Sequence, residues 1–394
     1  MADGSEEIRR LVGRSGELKR ELVAFARSAR FDRYREEELR KAAAEGEDPP
    51  APGSDRWVQA MDDFVMTFRF PDGTGVIDRF LASSGTDLRK ADRRLLEGWR
   101  DPVDGVFELR ARSDREITLF NLIDELEYRA YAQSSVMRVL VDPGDFVLAR
   151  LVPLTPDAWS VSGSLTPFPR EHARVVAELA LDWLRAHPRL AFRNPEKLER
   201  GWELMREDRD QFAEFFGGDQ VVLPPSQALD QLNAYYRTRQ EQAVAEQFPD
   251  GNVPDSVNTS EPFFTLPEEQ LQAMGTIGVI YDETDGMSLL PELGMLEELF
   301  ADPSLADREG YKEALLGYLD SESIYPGPLL RLAAAHPDTV DDVYRTVLKK
   351  PAFTWEEQGE RLLRKRKPWY FKQDHYPKTT PASDYLLSLL AEPA

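Results

Sequence analysis

Residues 142–165 read DPGDFVLARLVPLTPDAWSVSGSL, and this stretch decides the fold class. Phe146 to Leu154 is an apolar run that opens on the turn-forming Asp142-Pro143-Gly144-Asp145, and Trp159, Val161, Gly163 and Leu165 then fall on alternate positions. Period-two alternation places every second side chain on one face of a pleated strand. Upstream the same period appears. Phe107, Leu109 and Ala111 alternate with charged residues, Ile117 and Leu119 alternate again, and the pattern continues from Tyr128. Short strands punctuated by Ser113-Asp114-Arg115-Glu116 and Asp142–Asp145 predict a small antiparallel sheet or barrel.

On the N-terminal side the period changes to that of a helix. Trp57, Met61, Phe64, Val65 and Phe68 lie at i, i+4, i+7, i+8 and i+11, an amphipathic stripe. Two shorter helices are expected around Val76–Ala82 and Thr86–Trp99. Further upstream, residues 1–45 read as a helical arm, with Ser5 as a cap and Ile8, Val12, Leu18, Leu22 and Phe25 near one face. Gly13 and Gly16 weaken that helix. Residues 46–55 form a linker in which Pro49, Pro50 and Pro52 prevent a continuous helix.

From residue 169 to 394 the chain reads as a mainly helical domain, with segments 170–186, 195–216 and 226–246 broken at His187-Pro188, Asn194-Pro195 and Gly217-Gly218. Residues 248–267 read as an exposed polar loop. Thr276–Tyr281 followed by Asp282–Gly286 predicts a short β-hairpin near 275–290. The expected class is therefore α+β: a helical arm, a helix-plus-small-β module over 56–168, and a larger helical domain.

The chain has 394 residues, a formal net charge of -22, 41% hydrophobic and 10% aromatic residues, and no cysteine. That length favours two or three domains, and that apolar content suffices for folded cores. Without cysteine there are no disulfides, thiolate zinc sites, iron–sulfur clusters or cysteine nucleophiles. No apolar run reaches the roughly 18–20 residues of a membrane span, and MADGSEEIRRLVGRSG at the start has no apolar signal core. A cytoplasmic protein without membrane partners or cofactors is the expectation.

The phrases DRFLASSGTDLRKADRRLLEGW (78–99), GVFEL (105–109), TLFNLIDELEYRAY (118–131), DPGDFVLARLVPL and WSVSGSL follow an order that resembles uncharacterised bacterial proteins, some of which carry a C-terminal SEC-C zinc-binding motif. The resemblance implies a small β module after a helical pair. This chain lacks every cysteine of that motif, so no zinc function carries over, and no activity is implied.

Three stretches carry candidate chemistry. In Tyr281–Glu292, YDETDGMSLLPE, the residues Glu283, Asp285, Gly286 and Glu292 fall on calcium-loop positions, but Tyr281 stands where the first ligand belongs and a strand precedes it; a hairpin is the better reading. Asp282 and Asp285 are carboxylates available for acid–base work, and His375 could be brought near them by folding. The dispersed His172, His187, His336 and His375 show no ligand spacing. Adjacent Asp62 and Asp63, and Asp124, Glu125 and Glu127, read as solvated faces.

The third stretch is a reversal of charge. Between Arg345 and Lys378 ten cations face four acids, and within RLLRKRKPWYFK, residues 361–372, the cations Arg361, Arg364, Lys365, Arg366, Lys367 and Lys372 lie beside Trp369 and Tyr370. Such a strip suits an acidic protein partner, a second copy of this chain, or a phosphate backbone with bases stacked on the aromatics. It also suits a plain helix end, with Glu356 and Glu357 in the first turn and cations in the last. The reading favoured here is a non-catalytic adaptor; the alternatives are a nucleic-acid-associated protein and a carboxylate-dependent enzyme.

Overall fold

The computed structural model describes residues 2–43, 48–83, 88–113, 116–131, 142–247, 262–381 and 383–391. The chain is α+β and divides into two compact units, residues 1–197 with 381–394, and residues 198–380. No helix of the described residues is long and apolar enough to cross a membrane.

The first unit begins with helices α1 (Ala2–Ala26), α2 (Asp32–Lys41), α3 (Asp55–Met66), α4 (Val76–Ser83) and α5 (Lys90–Gly98). Helix α1 starts before Ser5 and runs unbroken through Gly13 and Gly16. The arm ends as a second helix because a 3-10 turn at Ala29–Phe31 intervenes. Leu18, Leu22, Ala26 and Phe31 of the arm are buried with Phe64 of α3 and Val76 and Phe80 of α4, so the arm belongs to the core of its unit. Ser54 caps α3, its Oγ accepting from Trp57 N at 3.3 Å. Pro49 to Asp55 give the exposed connection; residues 44–47 and 84–87, where expected linker and helix begin, lie outside the described residues, as do 132–141 and most of the 248–267 loop.

Five strands follow: β1 (Val103–Arg112), β2 (Glu116–Asn121), β3 (Glu127–Tyr131), β4 (Phe146–Thr155) and β5 (Ala158–Phe168). They close into a barrel in the order β1-β2-β3-β5-β4. Long β1 pairs antiparallel with both β2 and β4, and β3 lies parallel to β5. This is the arrangement of an OB-type Greek-key barrel. Closure requires sharp bending, and register shifts supply it between Leu109 and Ala111, Leu148 and Arg150, and Pro153 and Thr155. The alternating side chains fill the interior: Phe107, Leu109, Ile117, Leu119, Val147, Ala149 and Leu151 are buried together.

Helix α6 (Ala173–Ala186) covers a second face of the barrel, packing Val176, Ala177 and Ala180 against Val106, Leu122, Ile123 and Phe146. The C-terminal helix of the described residues, Asp384–Leu390, joins the same core through Leu386 and Leu389. The division expected after residue 168 is therefore displaced: α6 has its apolar stripe committed to the barrel, and Asp384–Leu390 packs in the same core.

The second unit contains most of helix α7 (Pro195–Phe216), then β6 (Gln220–Leu223), α8 (Pro225–Gln247), α9 (Glu268–Ala273), β7 (Ile277–Asp282) and β8 (Gly286–Pro291). The expected hairpin is β7–β8, and β6 completes an antiparallel sheet in the order β6-β7-β8. The period-two rule is visible in β7. Ile277, Val279 and Tyr281 pack with Phe212, Leu232 and Tyr235, while Ile280 faces the opposite core. At Gly278 a Cβ would lie 2.3 Å from Leu293 Cδ2, so only glycine lets the following helix approach.

That opposite core is built from α10 (Leu293–Ala301), α11 (Tyr311–Asp320), α12 (Gly327–Ala335), α13 (Val340–Leu348) and α14 (Trp355–Arg366), followed by the single turn α15 (Pro368–Lys372). Helix α14 starts where Trp355 N donates to Asp341 Oδ1 at 2.7 Å. It buries Leu362 and Leu363 with Leu296, Phe300, Val343 and Tyr344.

Candidate functional site

The cations of 361–372 do not form one uniform surface. Helix α14 points them around its axis, and the fold treats each differently. Arg361 and Lys365, four residues apart and hence on one helix face, are exposed and have no acid partner among the described residues. Lys372 at the end of α15 is in the same state. Arg364 donates through Nε to Glu360 Oε1 at 2.7 Å and lies 4.6 Å over the Phe371 ring. Arg366 donates to Asp320 Oδ1 at 2.6 Å.

Lys367 departs furthest from expectation. It is 0% exposed, with Nζ donating to Ser321 O at 2.9 Å and Ile324 O at 2.6 Å. Burial pulls its ammonium down to about 8, against the attraction of Asp320. Lys367 thus ties α14 to the turn between α11 and α12, and it is not available to a partner. Nothing in the local sequence marks it, because its acceptors are main-chain oxygens more than forty residues away.

The aromatics next to it bring two of the three carboxylate–imidazole candidates together. Tyr370 donates its hydroxyl to Asp285 Oδ2 at 2.7 Å, and the His375 ring lies 4.4 Å from the Tyr370 ring. Burial raises both the Tyr370 hydroxyl, further held by its bond to Asp285, and the Asp285 carboxyl, which the neighbouring Asp282 charge raises further. Tyr370 is therefore the donor of this pair. Trp369 meets Tyr370 edge to face at 5.7 Å and is half-buried, with Nε1 unpartnered.

Asp282 is turned to other work. Its Oδ1 accepts from Thr284 N at 2.9 Å and Asp285 N at 3.2 Å, closing the hairpin turn, and its Oδ2 lies 3.5 Å from Arg331 Nη2. Arg331 also bonds Asp219, which Arg209 holds from the other side, and Arg209 reaches Glu283. The acid-rich turn is a lattice of ion pairs that pins the hairpin to α7 and α12. Among the described residues no group of three or more His, Asp or Glu is placed to hold a metal, and Glu292 opens α10 in the left-handed region at φ 58°.

One acid in each of two groups departs from its sequence reading, while Glu127 is exposed as expected. Asp62, expected on a solvated face, is 3% exposed, and Asp124 is 0% exposed. Asp62 accepts from Lys19 Nζ, from Arg150 Nη1 at 2.6 Å and from Ser162 Oγ at 3.0 Å. Burial opposes its ionisation, but Lys19 and Arg150 outweigh that and hold the carboxyl below its ordinary range. Arg150 also binds Asp63 at 2.9 Å and Asp104 at 2.6 Å. Asp124 accepts from Tyr128 Oη at 2.5 Å and Leu126 N at 2.9 Å, yet burial pushes it up to about 6.

The chain matches no protein-family model, no curated protein and no solved structure.

Proposed function

We propose that this is a cytoplasmic, non-catalytic adaptor that docks an acidic segment of a partner protein on the Arg361–Lys365 face of α14 and on Lys372. One observation carries it: these three cations stay exposed and unpaired among the described residues of a chain of net charge -22. The chain's own acids engage the neighbouring Arg364 and Arg366, so an acid within reach is normally taken up. Half-buried Trp369 supplies a rigid aromatic edge beside the cations. The carboxylates that could serve catalysis are already occupied, Asp285 by Tyr370 and Asp282 by its own turn and Arg331. The barrel does not change this reading. The β4–β5 connection is only Pro156 and Asp157, and fold alone carries no function.

The test is a pull-down with the tagged full chain at moderate salt, with and without nuclease, set beside the triple variant Arg361→Glu, Lys365→Glu, Lys372→Glu. A stoichiometric protein that survives nuclease and is lost by the variant supports the adaptor. A captured second copy of the chain replaces the partner by self-association. Recovered nucleic acid whose binding falls steeply with salt would transfer the strip to a phosphate backbone.

A further inference from the structure

The first unit contains a cleft of about 760 Å³ between α1 and β5, within the size range of small-molecule sites. We propose that it binds a small organic anion, with carboxylate or phosphate oxygens held by Lys19 and Arg20 and an apolar body against Val12, Val161 and Trp99.

The cleft begins with two residues that a helix would rather not contain. Gly13 and Gly16 each cost about 1 kcal/mol relative to alanine in a helix interior, yet α1 passes through both. Close packing does not demand Gly13, since a Cβ there would meet nothing within 4 Å. The space beside the helix is open, and Gly13 and Gly16 both line it.

Polar groups with unused hydrogen-bonding capacity line that space. Ser15 and Ser160 line it, and so does Trp99, 1% exposed, whose indole Nε1 is buried without a hydrogen-bond partner. Buried polar groups ordinarily find partners, so an orphaned indole donor in the wall of the cleft points to a ligand or solvent that supplies one. Lys19 lines the same cleft and is held in place: its Nζ donates to Asp62 and, at 3.1 Å, to Ser162 Oγ. An ammonium has three donors, which leaves one. Arg20 donates Nε to Gly16 O at 3.3 Å and has no carboxylate partner among the described residues, so the rest of its planar fork is free for two acceptor oxygens.

The charge of the lining selects the ligand. Its single acid, Glu17, is taken by Arg14 at 2.8 Å and the Lys19 charge is met by Asp62, so the uncompensated charge of the lining is that of Arg20. Val12, Val152, Val161 and the almost fully buried Trp99 form the apolar part.

Isothermal titration of the full chain with benzoate, phenyl phosphate and neutral benzyl alcohol tests this. One or both anions should saturate the protein, and benzyl alcohol should bind at least about tenfold more weakly, the worth of one charge-assisted contact. The stronger anion identifies the head group. Arg20→Ala, at an exposed position, should weaken the anion about tenfold. Gly13→Leu, which improves helix propensity and places its side chain in open space, should abolish binding while the protein stays folded by circular dichroism. Failure of both anions to saturate at about 10 mM, equal affinity for benzyl alcohol, or binding indifferent to both substitutions overturns the proposal.

Discussion

In the barrel unit, Lys19, Asp62 and Arg150 come from a helix, a second helix and a strand, and they meet where Asp62 and Arg150 are 3% and 7% exposed. In the second unit, Arg361, Lys365 and Lys372 come from one short run of sequence and remain at the surface. The dense local run attracts the eye, but it is the scattered triad that the fold spends on its own cohesion. Desolvated ions are tolerated only with complementary charge and hydrogen bonds in place, and breaking such a set is costly. Surface cations are nearly neutral for stability and remain free for association. Lys367 is the exception inside the strip: by burial and by its two carbonyl acceptors it belongs with the first kind of ion.

The largest effect should come from opening the buried knot. Asp62→Ala leaves Lys19 and Arg150 without their shared partner and should cost about 3–5 kcal/mol in urea unfolding; a loss below about 1 kcal/mol would put Asp62 with the surface ions. Asp124 sharpens the contrast from the acid side, as a buried carboxyl held above its ordinary value. Between its usual 3.8 and about 6, the folded state binds the proton more tightly than the unfolded chain. Stability measured relative to Asp124→Asn should therefore fall as pH rises through that window, by up to about 3 kcal/mol. A difference curve that is flat, or that rises, breaks this assignment. The smallest effects lie in the strip. Lys367→Met, which leaves the Ser321 and Ile324 carbonyls without their donor, should cost about 2 kcal/mol, whereas Arg361→Ala and Lys365→Ala should each stay within about 0.5 kcal/mol. Equal losses at 365 and 367 would erase the distinction between structural and free cations.

Much of the architecture was legible in residue pattern. The alternations around Phe107, Ile117, Phe146 and Trp159 became strands β1, β2, β4 and β5, and the Asp285-Gly286 turn became the β7–β8 hairpin. Strand β6 was not anticipated: Gln220–Leu223 is only four residues, too few for a period to register. The candidate site was legible in part. The sequence singled out Asp285, Tyr370 and His375, and folding placed them together, but it showed neither that Tyr370 joins the other two nor that Asp282 serves its own turn. The cleft beside α1 left only an oblique trace, two glycines in a segment that otherwise reads as helix.

Strand period, helix stripes, caps and turns depend on side chains a few positions apart, so the α+β class, the order of elements and the position of the charge reversal follow from the chain read locally. Other features come from tertiary structure alone: barrel closure, the return of Asp384–Leu390 to the first unit, and the burial of Asp62, Asp124 and Lys367. Lys19 meets residues 43 and 143 positions away, and Lys367 meets carbonyls 43 and 46 positions away. Whether an ion is solvated, paired or buried is set by what long-range packing brings beside it, and no window of sequence contains that neighbour.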